Sequence, residues 1–329
     1  MRNFYKNVSF GSCSVVGNLF LAPAAGWSDA AFRLICSEQG AGFLYTALVS
    51  AEAIVRKSQK TDVLLLRGAP KTTPYAIQLF GAEPETLAAA VAAIAPYRPD
   101  AVDLNAGCPA PKVTKTGAGS ALMKSPQKIA AAVKAMRRAS IQHLGGVPIT
   151  VKMRSGWDEA NLNFVECAKA AEDAGASLIC LHPRTRAQGY SGKSRWDYIA
   201  ALKQELTIPI AGSGDLETPE DAKRMFLQTG CDCVMFARGA FGNPFIFRVT
   251  KEYLQTGAYT EPSQKERVHA ALKHLDLLCA IYGEKTACLE MRKIFCAYIK
   301  GADGAAELRR KIVCATSATG YRQILAPFC

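Results

Sequence analysis

Two kinds of apolar segment alternate along most of the chain. Short runs at 19–23, 43–46, 75–79, 101–105, 148–152, 177–182, 208–211 and 232–236 are bounded by turn residues and have strand length. Most are followed by stretches with apolar positions three and four apart, clearest at 84–95, 126–139, 161–174, 195–206 and 219–229. Pro84, Pro126 and Pro219 open three of these, where a missing N–H leaves no bond unmade. Gly175 and Gly230 stand where helix C-caps belong. Strand–helix units in series predict a parallel sheet, and eight of them close a (β/α)₈ TIM barrel. Near-continuous apolar strands fit a sheet covered on both faces. The alternative is an open doubly wound sheet. Its dinucleotide-binding form needs a GxGxxG after the first strand, and none is present.

From about residue 245 the strand signals stop. Helical patterns follow at 265–282, 286–299 and 304–316, after a linker at 257–262. The sequence therefore divides into a barrel, 1–244, and a small helical domain, 245–329. A chain of 329 residues has room for both, and 49% hydrophobic residues supply a large core.

Charge adds a partner to this picture. Lys and Arg number 40 against 28 Asp and Glu, a balance of +12. That excess favours a polyanion or an anionic ligand. It is denser in the tail, where 13 − 8 gives +5, than in the barrel, where 27 − 20 gives +7. The 12 cysteines are irregularly spaced, as expected of a reduced, cytosolic chain without a metal site. Cys231 and Cys233 form a CxC whose strand alternation would send both side chains the same way, into the core. Arg2 and Lys6 ahead of the apolar run 15–25 mimic an export signal, but Gly17 and Asn18 break it. No segment suggests a membrane span.

A TIM barrel places its chemistry at the C-terminal strand ends. The fourth strand ends in Asp103-Leu104-Asn105-Ala106-Gly107-Cys108-Pro109. A thiol there can serve as nucleophile or general acid; free thiols titrate near ~8.5 and so carry a proton at neutral pH. The following segment, 112–121, rich in Lys, Thr and Gly, reads as a mobile loop that could close over the site as a lid. Lys152 ends an otherwise apolar fifth strand and needs an anionic or electron-rich partner; a Schiff-base lysine is the rival reading. His182, Arg184 and Arg186 follow the sixth strand and suit anions or phosphates. Gly212-Ser213-Gly214-Asp215 after strand seven and the stretch from Ala237 and Arg238 to Pro244 after strand eight form the recurrent phosphate site of these barrels. Gln78 near the end of strand three could pair with a heteroaromatic edge.

Taken together these segments closely resemble the tRNA-dihydrouridine synthase family, nearest its bacterial B-type branch. The likeness runs from about Leu21 through Ile312 and rests on Ala22–Gly26 with Asp29, Ile77-Gln78-Leu79, Asp103–Pro109, Gly117–Leu122, Val151–Trp157, His182–Arg186, Gly212–Asp215 and Arg238–Pro244. The resemblance implies an enzyme that binds FMN, uses NADPH and acts on tRNA as a cytoplasmic monomer. In such an enzyme NADPH reduces FMN, the flavin gives hydride to C6 of an extruded uracil, and Cys108 protonates C5. It further implies that Pro23, Ala24 and Ala25 contact the flavin, with Gln78 and Lys152 on its ring. Ser213, Gly214, Asp215, Ala237 and Arg238 would surround its phosphate. His182 would sit between flavin and uracil, Asn105 would face the uracil, and Arg184 and Arg186 the RNA. The tail resembles a tRNA-binding bundle, including Arg292, Lys293 and Tyr298.

The chain departs from the family at Ala24, where Met is usual, at Ala47-Leu48 for Glu-Met, at Ser213 for Asn, at Ala237 for Gly and at Ile294 for His. Two other functions stay open on sequence: a related flavin barrel acting on free pyrimidines, and a tRNA-binding protein with impaired catalysis.

Overall fold

Residues 8–15 alternate apolar and polar side chains. In the computed structural model, which describes residues 3–58, 73–301 and 304–328, they pair as an antiparallel hairpin, β1 (Val8–Phe10) with β2 (Cys13–Val15). No strand is expected here from the apolar runs; the period-two alternation was the available signal. Val8, Phe10, Cys13 and Val15 are buried against inward-facing barrel residues such as Phe20, Phe43 and Tyr45, so the hairpin plugs one end of the barrel. Phe10 meets Phe20 and Phe43 edge-on, with ring centroids 6.3 and 5.3 Å apart, an arrangement aromatic quadrupoles favour.

The barrel strands are β3 (Leu19–Leu21), β4 (Leu44–Tyr45), β5 (Val49–Ser50), β6 (Tyr75–Phe80), β7 (Ala101–Ala106), β8 (Ile149–Arg154), β9 (Ala176–His182), β10 (Ile210–Ser213) and β11 (Cys233–Phe236). Each of β6 to β11 pairs in parallel with the next, and β11 pairs with β3. A parallel bridge from Phe20 to Phe43 closes the ring between β3 and β4. The expected (β/α)₈ TIM barrel is thus present.

Its second strand is broken. Tyr45 lies opposite Ala76 and Val49 opposite Leu79, so four steps on one strand match three on the other. That is a β-bulge. The Thr46 hydroxyl occupies the gap, accepting from the Gln78 N–H and donating to the Ala47 carbonyl. The bulge is the place where Ala47 and Leu48 depart from the family pattern; it turns Leu48 toward the barrel mouth, while Ala47 is buried.

The CxC does not face one way. Cys233 points into the barrel interior, whereas Cys231 precedes β11 and packs among the outer helices. Alternation fails because only the second cysteine lies in the strand. Among the described residues no cluster of three or more His, Cys, Asp or Glu is placed to hold a metal. No described helix is long and apolar enough to cross a membrane.

Residue 245 does not separate the two parts. The helix Ile246–Thr256 packs on the helix Pro219–Thr229, and its Phe247 meets Phe236 of β11 edge-on. It is the eighth outer helix of the barrel. The appendage begins after the 257–262 linker, at the capping box formed by Ser263 and Glu266, and contains helices Gln264–Tyr282, Glu284–Tyr298, Ala305–Cys314 and Ala318–Leu325.

A buried polar relay fastens this appendage to the barrel. Asp29 accepts from the Phe32 N–H as cap of the first barrel helix, and from His274 Nε2 at 3.2 Å. The Tyr298 hydroxyl donates to His274 Nδ1 at 3.4 Å. Beside it, Gly242 adopts φ +66°, and a Cβ there would lie 2.5 Å from the Ala297 backbone. Burial raises the Asp29 pKa, but His274, the Phe32 N–H and Arg33 together bring it below the ordinary carboxylate value. A depressed folded pKa means that the stabilisation is full above ~3.9 and is lost as pH falls below it. Losing the cap costs about 0.5–2 kcal/mol, and an unpaired buried imidazole about 1–3. Asp29→Ala is therefore expected to lower the unfolding free energy by about 2–4 kcal/mol at pH 7 in a denaturant titration. A loss below ~0.5 kcal/mol would show that the relay does not bind the two parts together.

Candidate active site

Side chains of a strand alternate in direction, so every second residue points into the barrel. On β7 these are Ala101, Asp103 and Asn105; on β8, Thr150, Lys152 and Arg154; on β9, Leu178, Cys180 and His182. Each series runs from small or apolar at the plugged end to polar at the mouth. The mouth opens into a cavity of about 820 Å³. Pro23, Ala24, Ala25, Gln78, Asn105, Cys108, Lys152, His182, Arg186, Ser213, Gly214, Asp215, Ala237 and Arg238 all line it. Residues selected from seven separate strand ends thus meet at one site.

The Cys108 loop is held by its backbone. Asn105 Oδ1 accepts from the N–H groups of Gly107 and Cys108 at 3.1 and 2.8 Å. Asn105 Nδ2 donates to Gln78 Oε1 at 2.8 Å, and Gln78 Nε2 to Asp103 at 2.8 Å. Both Asn105 and Gln78 are buried and already bonded, so their first task is to shape the floor. The Ser120 hydroxyl and N–H both donate to the Cys108 carbonyl. Arg154, at the end of β8, donates to the carbonyls of Gly107, Thr185 and Gly189, tying the loops after β7 and β9 together. The thiol itself is half-buried and free.

The segment 112–121 is ordered and partly packed rather than a loose loop. It forms the short helix Pro111–Thr114 and a 3₁₀ turn, Gly119–Lys124, with Val113, Ala118 and Ser120 buried. Gly119, at φ +62°, passes so close that a Cβ would lie 2.8 Å from the Cys108 carbonyl. Gly119 and Ser120 serve close packing against the cysteine loop.

Arg184 does not face outward. It is 2% exposed and donates twice to Asp215 at 2.8 Å, and also to the carbonyls of Ser191 and Gly192. A buried guanidinium needs such partners. Arg238 donates to the same carboxylate at 3.0 Å. Burial acts to raise the Asp215 pKa, but the Ser194 N–H and Arg184 outweigh it and hold the group ionised. Asp215 therefore meets the cavity as a neutralised bridge, and its backbone is what remains for an anion. The Ser213 hydroxyl likewise turns away, donating to the Met235 carbonyl at 3.1 Å. Ala237 has φ −116°, outside the left-handed region that favours glycine. Ala24 is held by Ser28 through its own N–H and carbonyl, so the turn does not depend on its side chain.

His182 is neutral. Burial first, then Lys152, Arg154, Arg184 and Arg238, push its pKa well below the usual imidazole value. Arg184 Nη1 lies 3.2 Å from Nε2, and a guanidinium can only donate. The ring proton is accordingly on Nδ1. Around the cavity Lys152, Arg154, Arg186 and Arg238 oppose only Asp215 and Glu217, four cations against two carboxylates. At the rim the Trp157 ring meets two cations, Lys124 Nζ at 3.7 Å and the Arg186 guanidinium at 4.6 Å from its centroid.

Three tail residues singled out from the sequence lie elsewhere. Tyr298 is buried in the docking relay. Lys293 donates to the Gly26 carbonyl at 2.9 Å and sits over Trp27, which stacks on Phe241 with centroids 4.3 Å apart. Arg292 is half-buried beside Tyr321. Arg154 and Asp103 were missed as site residues, although each is an inward position on a strand already identified.

A family model described as dihydrouridine synthase (Dus) matches residues 20–326. A Treponema pallidum protein named "Probable tRNA-dihydrouridine synthase" is 46% identical over 330 residues, covering 99% of this chain and 97% of its own. tRNA-dihydrouridine synthase B of Pseudomonas aeruginosa is 36% identical, covering 92% of this chain and 90% of its own. Among solved structures, the old yellow enzyme homologue of Zymomonas mobilis matches with TM-score 0.52 and 11% identity, covering 81% of this chain and 96% of that one. Histamine dehydrogenase from Rhizobium sp. 4-9 matches with TM-score 0.55 and 13% identity, over 84% of this chain and 51% of that one. At such identities these structures show the shared fold alone.

Proposed function

The chain belongs to the dihydrouridine synthase family, and we propose that it is a B-type tRNA-dihydrouridine synthase that reduces the C5–C6 bond of uridines in tRNA, with FMN as its flavin and NADPH as reductant. The observation that carries this reading is the cavity itself: a thiol on a braced loop, an amide-lined floor and a surplus of cations meet at one barrel mouth.

The residues present suit a flavin mononucleotide. A cavity of about 820 Å³ lies within the range of cofactor sites. Cations exceed carboxylates on its wall, which suits a phosphate. The turn Arg238–Ala240 begins there, and its first amide N–H groups have no partner within the turn. The backbone of Ser213, Gly214, Asp215, Ala237 and Arg238 would hold the phosphate, and Pro23, Ala24, Ala25, Gln78 and Lys152 the ring. Bound flavin supplies hydride chemistry that side chains lack.

The chain's own residues do the rest. Cys108 delivers the proton from Sγ to C5 of the uracil. Asn105 and Arg154 fix the loop that aims it. Neutral His182 offers one N–H donor, from Nδ1, without adding charge beside the ring. Reaching C5 and C6 requires the base to leave its stack, so the rim must grip backbone while the mouth takes one base. Arg186 and Lys124 around Trp157 supply that grip, and the basic helical appendage extends it. The enzyme would act as a monomer in the cytoplasm.

Purified protein given FMN and then freed of unbound flavin is expected to stay yellow, absorbing near ~450 nm, and with NADPH to form dihydrouridine in tRNA that lacks it. Protein that is colourless once unbound FMN has been removed would refute the proposal. Turnover of free uracil or dihydroorotate without RNA would favour the free-pyrimidine reading instead.

A further inference from the structure

Beneath the cavity floor lies a carboxylate that the reaction described above does not use. Asp103 is fully buried and points into the barrel two residues before Asn105 on β7. One oxygen accepts from the Thr150 hydroxyl and the other from Gln78 Nε2. From there the bonds run in one direction: Asn105 Nδ2 to Gln78 Oε1, then the Gly107 and Cys108 N–H groups to Asn105 Oδ1.

An amide presents a donor at one end and an acceptor at the other, whereas an ionised carboxylate only accepts. Asp103 therefore dictates which way Gln78 points, Gln78 dictates Asn105, and Asn105 then shows an acceptor to the loop. We propose that Asp103 is a positioning residue that sets the polarity of this two-amide relay and so fixes the loop carrying Cys108. The proposal rests on Cys108 as proton donor only for its effect on rate; the relay is a matter of geometry.

An asparagine at 103 would fit the same space but could face either way. Gln78 could then flip and present its NH₂ to Asn105. Asn105 would have to answer with its oxygen and turn its own NH₂ toward two backbone N–H groups, donors against donors. The groups facing Asp103 are Thr150, Gln78, the Lys152 ammonium, the Tyr45 hydroxyl and the Cys180 thiol. Burial raises its pKa to about 6, against the pull of Thr150, Gln78 and Lys152. The relay is thus set above that pH, and turnover should fall as pH drops through it.

The test uses the FMN-loaded full chain and hydrogen exchange of the Gly107 and Cys108 amides, read by mass spectrometry. Asp103→Asn is expected to exchange there ~10-fold faster than the unaltered protein. Its kcat on tRNA should fall ~30-fold with the tRNA KM within ~2-fold, and its kcat should lose the acid limb near pH 6. Adding Gln78→Glu moves the acceptor-only group one link along, where it accepts from both amides. The double variant should regain the slow exchange. Unchanged exchange in the single variant, or no rescue in the double, would overturn the proposal. Faster exchange with unchanged kcat would uphold the relay and overturn instead the assignment of Cys108 as donor.

Discussion

Cys108→Ala is expected to lower dihydrouridine formation by about 10²–10⁴-fold while flavin and tRNA still bind. The expectation is sharp because every bond that holds the loop reaches its backbone. Asn105 takes the Gly107 and Cys108 N–H groups, Ser120 the Cys108 carbonyl and Arg154 the Gly107 carbonyl. Alanine keeps all of them. What disappears is the thiol alone, so a loss of rate reads as loss of a proton donor and not of a shape. Product is measured in tRNA lacking dihydrouridine, with flavin absorbance and tRNA binding followed in parallel. Turnover near the original rate would remove Cys108 from the reaction. Flavin loss in the same variant would mean that the cysteine is a wall of the cofactor site instead.

The candidate site was legible because a closed barrel turns sequence parity into geometry. Asn105, Lys152, His182 and Ser213 are polar or charged positions near the C-terminal ends of mostly apolar strands, and closure brings strand ends together whatever their separation in sequence. The boundaries of Pro219–Thr229 were legible for a local reason, a capping threonine before proline and a glycine at the far end. What failed depended on partners far along the chain. Arg184 looks like an outward-facing arginine until Asp215 returns beside it. The segment 112–121 looks loose until Gly119 is seen to lie against Cys108. The bulge after Tyr45 comes from a single extra residue, which no periodicity over so short a strand can reveal. The helix 246–256 was assigned to the tail because no strand signal follows it, yet its apolar face belongs to the barrel.

Gly214→Val should weaken FMN binding ~100-fold and leave the fold intact. Gly214 follows β10 with φ +104°, a conformation that a β-branched residue reaches only under strain. Space is equally against it. A Cβ would lie 2.3 Å from Ser194 Oγ and 2.8 Å from the His182 ring. The serine hydroxyl can rotate, but the imidazole cannot retreat, because Arg184 bonds to it and is itself clamped on Asp215. Asp215 is also at positive φ, +53°, kept there by Arg184 and the Ser194 N–H. Two successive residues in this region turn the backbone of 213–215 along the cavity wall, where its amides can meet an anion. Valine would displace this turn relative to the neighbouring Arg238–Ala240 turn, and a phosphate held between the two would lose one side of its grip. Flavin fluorescence titration reads the affinity directly, and thermal unfolding checks the fold. An unchanged FMN affinity in a folded Gly214→Val protein would show that the phosphate does not sit between the loops after β10 and β11.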